Sequence, residues 1–291
     1  MLDELCVGFI GAGTVGTALA AELSKTGYRV TMTADRNLTA AKGLASLVPG
    51  CRVTDDAQEI ANGCGCVFVT TPDDTIEAVV KNVTWHAGQY VIHCSGAASL
   101  DIMESARLPG AGVGSFHPCQ SFATVEQAIR NLRGSTFAIE AEPPLSEILQ
   151  SMAEALGGTW IRLSRGDKPL YHAAAVFASN YLVTVVKVAT DLFGHFGLSG
   201  QEAVDVLMPL LQGTVRNIET VGLPQCLTGP IARGDVTTIG KHVDALGQRE
   251  PEALNLYREL ARHTIPIARA KGTLSQEAAD ALARLLGEGH E

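Results

Sequence analysis

Leu5-Cys6-Val7-Gly8-Phe9-Ile10-Gly11-Ala12-Gly13-Thr14-Val15-Gly16 is the most informative stretch of this chain. A short apolar run leads into a Gly-Ala-Gly-Thr-Val-Gly turn, and a helical pattern then extends from Thr14 to Lys25. In this strand–turn–helix context, such a turn binds the diphosphate of a dinucleotide. Gly11 permits the tight turn, Gly13 lets the backbone approach the diphosphate, and Gly16 allows the helix to pack closely on the strand. Amides at the start of the helix, with its positive dipole end, would bind the anion.

Two residues after the second predicted strand bear on the choice of cofactor. Asp35 lies about 20 residues after the glycine turn, where an acid binds the ribose of NAD. Arg36 follows it and would pair with the 2′-phosphate of NADP, so both cofactors stay open at this point. The predicted cofactor-binding residues are Gly11, Ala12, Gly13, Thr14, Val15, Gly16, Asp35, Arg36, Thr71, Pro72 and Ser95.

The composition excludes some classes of partner. The chain has 291 residues and a formal net charge of −9, which argues against a nucleic-acid surface because such a surface needs clustered Lys and Arg. The amino terminus shows no secretory signal pattern, so we expect a cytoplasmic protein. The longest apolar run, Ala173–Val186, contains Asn180 and Tyr181. It is predicted to be too short and too polar for a membrane span and to form a helix buried in protein.

The seven cysteines are scattered along the chain and odd in number. Cys64 and Cys66 lack the second cluster that a zinc site would need, so we expect no metal. We interpret the cysteines as reduced, structural thiols of a cytoplasmic protein.

The pattern of predicted elements indicates two domains. Strands and helices alternate over residues 1–165, which predicts an α/β Rossmann domain with a mostly parallel sheet and a ligand site at the carboxyl ends of its strands. Residues 166–291 are almost entirely helical and begin with a long predicted helix, Lys168–Phe196. Pro169 is tolerated in the first turn of that helix.

Two candidate catalytic residues follow strands of the first domain. With a nicotinamide as hydride carrier, the protein must supply orientation, a proton donor or acceptor, and a substrate anchor. Ser95 could contact the nicotinamide amide or the substrate, although a plain strand-to-helix turn explains it equally well. His117 precedes Pro118, which restricts it to an extended conformation. Its imidazole could transfer a proton near neutral pH.

The helical half supplies further candidates. Asn180 is predicted to be buried among apolar residues, where its amide needs a partner such as substrate or cofactor. His172 lies about two turns earlier and would border the same cleft. Arg233 could bind a substrate carboxylate, with Asp235 beside it, or the two could form a pair that only fixes the loop. Lys168 begins the long helix and could reach the crevice between the domains, although an exposed lysine is the default expectation.

With these residues in view, the chain resembles a two-domain family that joins a Rossmann-like module to a helical domain of unknown function. Gly-Ser-Phe-His-Pro-Cys-Gln-Ser-Phe (114–122) and Thr-Gly-Pro-Ile-Ala-Arg-Gly-Asp (228–235) carry this resemblance. The wider plan is similar to 6-phosphogluconate dehydrogenase-like enzymes such as pyrroline-5-carboxylate reductase, ketopantoate reductase and β-hydroxyacid dehydrogenases. That resemblance implies NAD(P)-dependent oxidoreduction, an active site between the domains, and a homodimer formed through the helical domain.

The resemblance has one departure that concerns the mechanism. β-Hydroxyacid dehydrogenases carry a catalytic Lys followed one turn later by Asn, whereas Lys168 lies 12 residues before Asn180. His172 is an alternative at that place. In the resembling family the arginine after the second strand follows a small polar residue, which favours NADP.

These observations predict a cytoplasmic NAD(P)-dependent oxidoreductase that acts on a small carbonyl or imine compound bearing a carboxylate. His117 would handle the proton, Ser95 and Asn180 would orient substrate and nicotinamide, and Arg233 would bind the anion. The alternative is a sensor or regulatory protein that binds NAD(P) without turning it over.

Overall fold

A computed structural model describes residues 5–287, and within them eight strands form one sheet in the order β3-β2-β1-β4-β5-β6-β7-β8. Neighbouring strands are parallel except for the antiparallel pair β6 and β7. This arrangement confirms the predicted α/β class. The strands are β1 (Cys6–Ile10), β2 (Arg29–Ala34), β3 (Arg52–Thr54), β4 (Cys66–Val69), β5 (Tyr90–His93), β6 (Gly112–Pro118), β7 (Thr136–Ala141) and β8 (Thr159–Arg162).

Helices alternate with the strands up to β8, and the rest of the described chain is helical. The helices are α1 (Thr14–Lys25), α2 (Leu38–Ser46), α3 (Ala57–Gly63), α4 (Asp73–Lys81), α5 (Glu104–Arg107), α6 (Val125–Leu132), α7 (Leu145–Ala155), α8 (Lys168–Ala178), α9 (Asn180–Gly194), α10 (Gly200–Val221), α11 (Val236–Arg249), α12 (Pro251–Lys271) and α13 (Gln276–Leu286).

The central strands are buried because helices cover both faces of the sheet. Aromatic rings fill one of these faces across four strands. Phe9 stacks on Phe68 with ring centroids 5.1 Å apart, and Phe116 stacks on Phe137 at 4.4 Å. These contacts pack β1 against β4 and β6 against β7 on that face of the sheet.

Three local features differ from the sequence-based expectation. Helix α3 was not predicted, because its seven residues are too few to show an apolar period; the side chain of Asp56 caps its first turn. Strand β6 extends to Pro118, so His117 lies within the strand. The predicted long helix is interrupted at Ser179, which separates α8 from α9.

The described residues divide into two compact units, one reaching to Asn180 and the other beginning at Tyr181. Helix α8 therefore belongs with the Rossmann sheet, and the boundary falls one helix later than the predicted one after residue 165. Lys168 explains this, because its side chain reaches residues at the ends of β5 and β6, as described below.

The prediction that the apolar run 173–186 is buried was wrong. Phe177 is 70% exposed and Val183 is 69% exposed. An apolar pattern identifies side chains that avoid water, but it does not say whether the same chain covers them. Among the described residues, the stretch Lys168–Gly194 is also the one helical segment long and apolar enough to span a membrane, by length and composition alone. The absence of a membrane partner and the cytoplasmic location stay predictions.

Candidate active site

The glycine turn packs directly against the end of β4. Gly11 has a φ of +107°, and a Cβ added there would lie 2.6 Å from the carbonyl carbon of Thr70. A Cβ at Gly16 would overlap the Thr70 hydroxyl, which donates to the carbonyl oxygen of Gly11 at 2.6 Å. Above Gly13, by contrast, a Cβ would meet nothing closer than 4.0 Å. The turn thus packs closely against the end of β4 at Gly11 and Gly16. It leaves open space at Gly13, where a diphosphate would bind.

A cavity of about 610 Å³ adjoins this turn and is lined in part by Gly11, Gly13 and Arg36. Thr71 and Pro72, at the end of β4, also line it. The Thr71 hydroxyl is buried and has no hydrogen-bond partner among the described residues, as expected for a group that forms its hydrogen bond with a ligand. The volume of this cavity, the open space above Gly13 and the Thr71 hydroxyl all fit a bound dinucleotide.

The Asp35 carboxylate stabilises the glycine turn through hydrogen bonds to the backbone. One carboxylate oxygen accepts from the backbone N–H of Ala12 at 2.7 Å, and the other accepts from the N–H of Asn37 at 2.8 Å. Its neighbour Arg36 is exposed. The carboxylate is therefore engaged with the backbone on both oxygens, whereas the guanidinium remains available at the rim of the cavity.

Lys168 is buried, which contradicts its expected exposure: only 2% of the residue is accessible. Its Nζ donates to the carbonyl oxygen of Ser95 at 2.8 Å and to the hydroxyl of Ser115 at 2.6 Å. Burial lowers the pKa of Lys168 to about 8, although the nearby charge of Glu140 opposes this shift. An amine with such a pKa can gain or lose a proton near neutral pH.

Ser95 lies in the turn after β5, as predicted, and its hydroxyl takes part in three hydrogen bonds. It donates to the carboxylate of Asp73 at 2.6 Å and accepts from the backbone N–H groups of Ala97 and Ala98 at 3.2 and 2.9 Å. The hydroxyl therefore fixes the turn that contains Gly96. The same serine brings its carbonyl oxygen to Lys168.

Two imidazoles face Gly96. A Cβ added at Gly96 would lie 2.8 Å from Nε2 of His117 and 2.9 Å from Nδ1 of His172. Nδ1 of His117 lies 2.7 Å from the hydroxyl oxygen of Tyr171, whereas Nδ1 of His172 is buried without a partner among the described residues. His117 and His172, predicted from separate parts of the chain, are thus brought to one place.

Burial sets the protonation of the histidines. It lowers the pKa of His117 to about 4, and the electrostatic effects of Lys168 and His172 lower it further. Burial and the same lysine lower the pKa of His93, the last residue of β5, to about 3. Nδ1 of His93 accepts from the N–H of Ser95 at 3.1 Å. At neutral pH His93 and His117 are therefore uncharged beside a lysine that can carry the positive charge.

Other predicted residues lie elsewhere. Asn180 is exposed at the first position of α9, so the prediction of a buried amide was wrong. Arg233 and Asp235 belong to the second unit. Asp235 caps α11, because its carboxylate accepts from the backbone N–H and the hydroxyl of Thr238 at 3.0 and 2.7 Å. Arg233 is exposed in the preceding turn, and its contact with substrate stays a prediction.

Sequence reasoning missed Lys168, Ser115, Tyr171 and Asp73. One signal was present: Ser115 lies two residues before His117 on a strand, so both side chains point to the same face of the sheet. Lys168 and His172 are four residues apart and share a helix face.

Comparisons with known proteins agree with this architecture. Residues 6–96 match the family described as NADP oxidoreductase coenzyme F420-dependent, and residues 135–264 match a domain of unknown function, DUF2520. No curated protein matches the chain. The first family match confirms the prediction of an NAD(P)-dependent oxidoreductase that takes NADP(H).

Solved structures are similar over nearly the whole chain. Protein TM1727 from Thermotoga maritima is 25% identical with a TM-score of 0.75, covering 91% of this chain and 99% of that one. A Bacteroides fragilis protein, provisionally described as an NADP oxidoreductase, is 24% identical with a TM-score of 0.71, covering 91% and 100%. A reductive aminase from Aspergillus terreus, in complex with NADPH and ethyl levulinate, is 15% identical with a TM-score of 0.65, covering 96% and 98%. Residues 6–96 are thus similar to the NADP oxidoreductase coenzyme F420-dependent family, and residues 135–264 are similar to the domain of unknown function DUF2520.

Proposed function

We propose that the protein is an NADPH-dependent reductase of a small carbonyl or imine compound that carries a carboxylate. The observation that carries this proposal is the pair of imidazoles at Gly96 with a buried lysine beside them. This cluster lies at the ends of β5 and β6, on the same sheet edge as the glycine turn. Ligands of open α/β sheets bind at that edge.

Bound NADPH would supply the hydride, and the residues of the chain would prepare the acceptor. Tyr171 keeps its proton, because burial raises its pKa, and its hydroxyl can donate to Nδ1 of His117. With the phenol as donor, the imidazole hydrogen would be on Nε2, the atom that faces Gly96. A neutral imidazole N–H so placed can polarise a carbonyl oxygen or an imine nitrogen.

The proton that completes the reduction needs a source with a pKa near the working pH. Lys168 fits this role, since its pKa is lowered to about 8. Its two hydrogen bonds to Ser95 and Ser115 hold the ammonium in place, and His172 lies one turn along the same helix. His117 is then the hydrogen-bond donor and Lys168 the proton reservoir.

Two observations support the substrate class. The reductive aminase named above shares the fold and binds a carbonyl compound together with NADPH. Arg233 would bind a carboxylate, as its guanidinium is exposed. The first point favours a carbonyl or imine substrate, and the second favours a carboxylate on that substrate.

We also propose that the second unit pairs with a second copy of this chain. Soluble monomers rarely expose large contiguous apolar patches, and homodimer interfaces are the apolar ones. Large apolar side chains recur along α10 at intervals of three to five residues and remain exposed in the single chain: Val206, Leu210, Val215, Ile218 and Val221. Light scattering of the L210E variant should show a monomer where the native chain is a dimer; a native monomer at micromolar concentration refutes the pairing.

One pair of measurements tests the enzymatic proposal. Titration calorimetry should detect NADPH binding to the native chain and not to G13A, whose added methyl enters the open space above the turn and meets no protein atom closer than 4.0 Å. Transfer of labelled hydride from NADPH to a panel of 2-oxo acids and cyclic imines then tests turnover. Binding without transfer to any compound would favour the sensor, and absence of binding would refute both functions.

A further inference from the structure

Two cysteines lie close together at the amino end of β1, opposite the glycine turn. Cys6 begins β1, and Cys64 follows α3. Their sulfur atoms are 3.2 Å apart, although both are free thiols. Cys6 is half-buried and Cys64 is buried. Neither takes part in the proposed reduction.

The surroundings make these two thiols unlike. The Thr31 hydroxyl lies 2.6 Å from the Cys6 sulfur and 3.6 Å from the Cys64 sulfur. Hydrogen bonds from Cys64 and Thr31, with the charge of Arg29, lower the pKa of the Cys6 thiol to about 6 against the opposing effect of burial. The same sulfur contact, together with burial, raises the pKa of Cys64. The pair thus combines a nucleophilic thiolate with a protonated thiol.

We propose that Cys6 and Cys64 are a redox-modification site that closes reversibly to a disulfide when the protein meets a peroxide. The Cys6 thiolate attacks one oxygen of hydrogen peroxide, the O–O bond breaks, and uptake of a proton yields a sulfenic acid and water. The Cys64 sulfur then attacks the Cys6 sulfur, its proton passes to the leaving hydroxide, and a second water forms. In total, two thiols lose two electrons and the peroxide gains them.

The geometry needs little adjustment for this reaction. A disulfide requires the sulfurs to approach to about 2.05 Å, and half-buried Cys6 is open to a small oxidant. Closure would link β1 to the segment that enters β4, two strands whose far ends form the cofactor turn. Because the bond closes a long loop in the unfolded chain, it should raise the Tm of this domain by several degrees.

Peptide mapping of the full-length protein tests the site. After treatment of the reduced protein with hydrogen peroxide, we expect a cross-linked peptide pair containing Cys6 and Cys64, a higher Tm, and reversal of both by dithiothreitol. The C64S variant should stop at a sulfenic acid on Cys6, which dimedone traps. The C51S variant is the matched control, because Cys51 is a half-buried cysteine of the same domain and should leave the cross-link unchanged.

The pH dependence of alkylation provides a second readout that does not depend on the oxidant. The reaction of Cys6 with iodoacetamide should have its midpoint near pH 6 in the native chain and shift to higher pH in C64A, which removes the hydrogen-bond donor. Oxidation of exposed Cys119 while Cys6 stays fully alkylatable would overturn the proposal. Pairing of Cys6 with any cysteine other than Cys64 would do so as well.

Discussion

Nδ1 of His117 lies 2.7 Å from the hydroxyl oxygen of Tyr171, so the phenol holds the imidazole that faces Gly96. Replacement H117Q should lower turnover by about 100-fold, the scale of general acid–base contributions, and leave the dissociation constant of NADPH unchanged. Y171F should cost less, since the ring remains but its tautomer is no longer fixed. Steady-state kinetics and calorimetry separate the two quantities. Native turnover in H117Q would remove His117 from the mechanism.

Gly96 is expected to be intolerant of any side chain. The methyl group of G96A would lie 2.8 Å from Nε2 of His117 and 2.9 Å from Nδ1 of His172, so one or both rings must move. We expect a fall in kcat of at least about tenfold, as small misplacements of reacting groups are costly. NADPH affinity should persist.

The control for this substitution is G43A in α2, where an added methyl meets no atom within 4 Å. An exposed helical Gly→Ala change should leave kcat unchanged and raise stability by about 0.5–1 kcal/mol. If G96A and G43A have equal activity, the two imidazoles are not part of the site.

The sequence predicts the Rossmann half well, because the glycine turn and the short apolar strands are local signals. The sequence does not predict the burial of Lys168, because a lysine in the first turn of a helix does not indicate what that helix packs against. It fails at Asn180 for a related reason: apolar neighbours show that a helix face avoids water, but not which chain covers it. His117 was found because its strand and the following proline fix its position locally.

Lys168 should impose a pH limit on catalysis. Since its pKa is lowered to about 8, kcat/KM should be constant below that pH and fall about tenfold per unit above it. K168M should lose this dependence together with most of the activity. K187M is the control, because Lys187 is an exposed lysine that pairs with Asp191 on the surface. A pH profile that K168M shares with the native chain would contradict the role.

The buried histidines should make the fold sensitive to acid. The folded pKa values of His93 (about 3) and His117 (about 4) lie below the ordinary 6.5, so the unfolded chain binds more protons in this range. The free energy of unfolding should therefore fall as the pH drops from 6.5 towards 4, by about 1.4 kcal/mol per unit for each group.

The variant H93N isolates one of these contributions. The Asn oxygen can accept from the Ser95 N–H as Nδ1 of His93 does, but it does not titrate. Denaturant unfolding at several pH values should show a shallower acid slope in H93N than in the native chain. Identical slopes would mean that His93 is not held neutral by the fold.

Arg36 should set the preference for NADPH over NADH. Both carboxylate oxygens of Asp35 accept backbone N–H groups, which leaves the exposed Arg36 at the cavity rim as the charge available to a 2′-phosphate. R36A should raise the KM for NADPH by about tenfold or more and leave that for NADH unchanged, because a charge-assisted bond is lost with one cofactor only. R130A, which removes an exposed arginine on α6 paired with Glu126, should change neither value. Equal loss of both cofactors in R36A would show that the guanidinium supports the turn and does not read the phosphate.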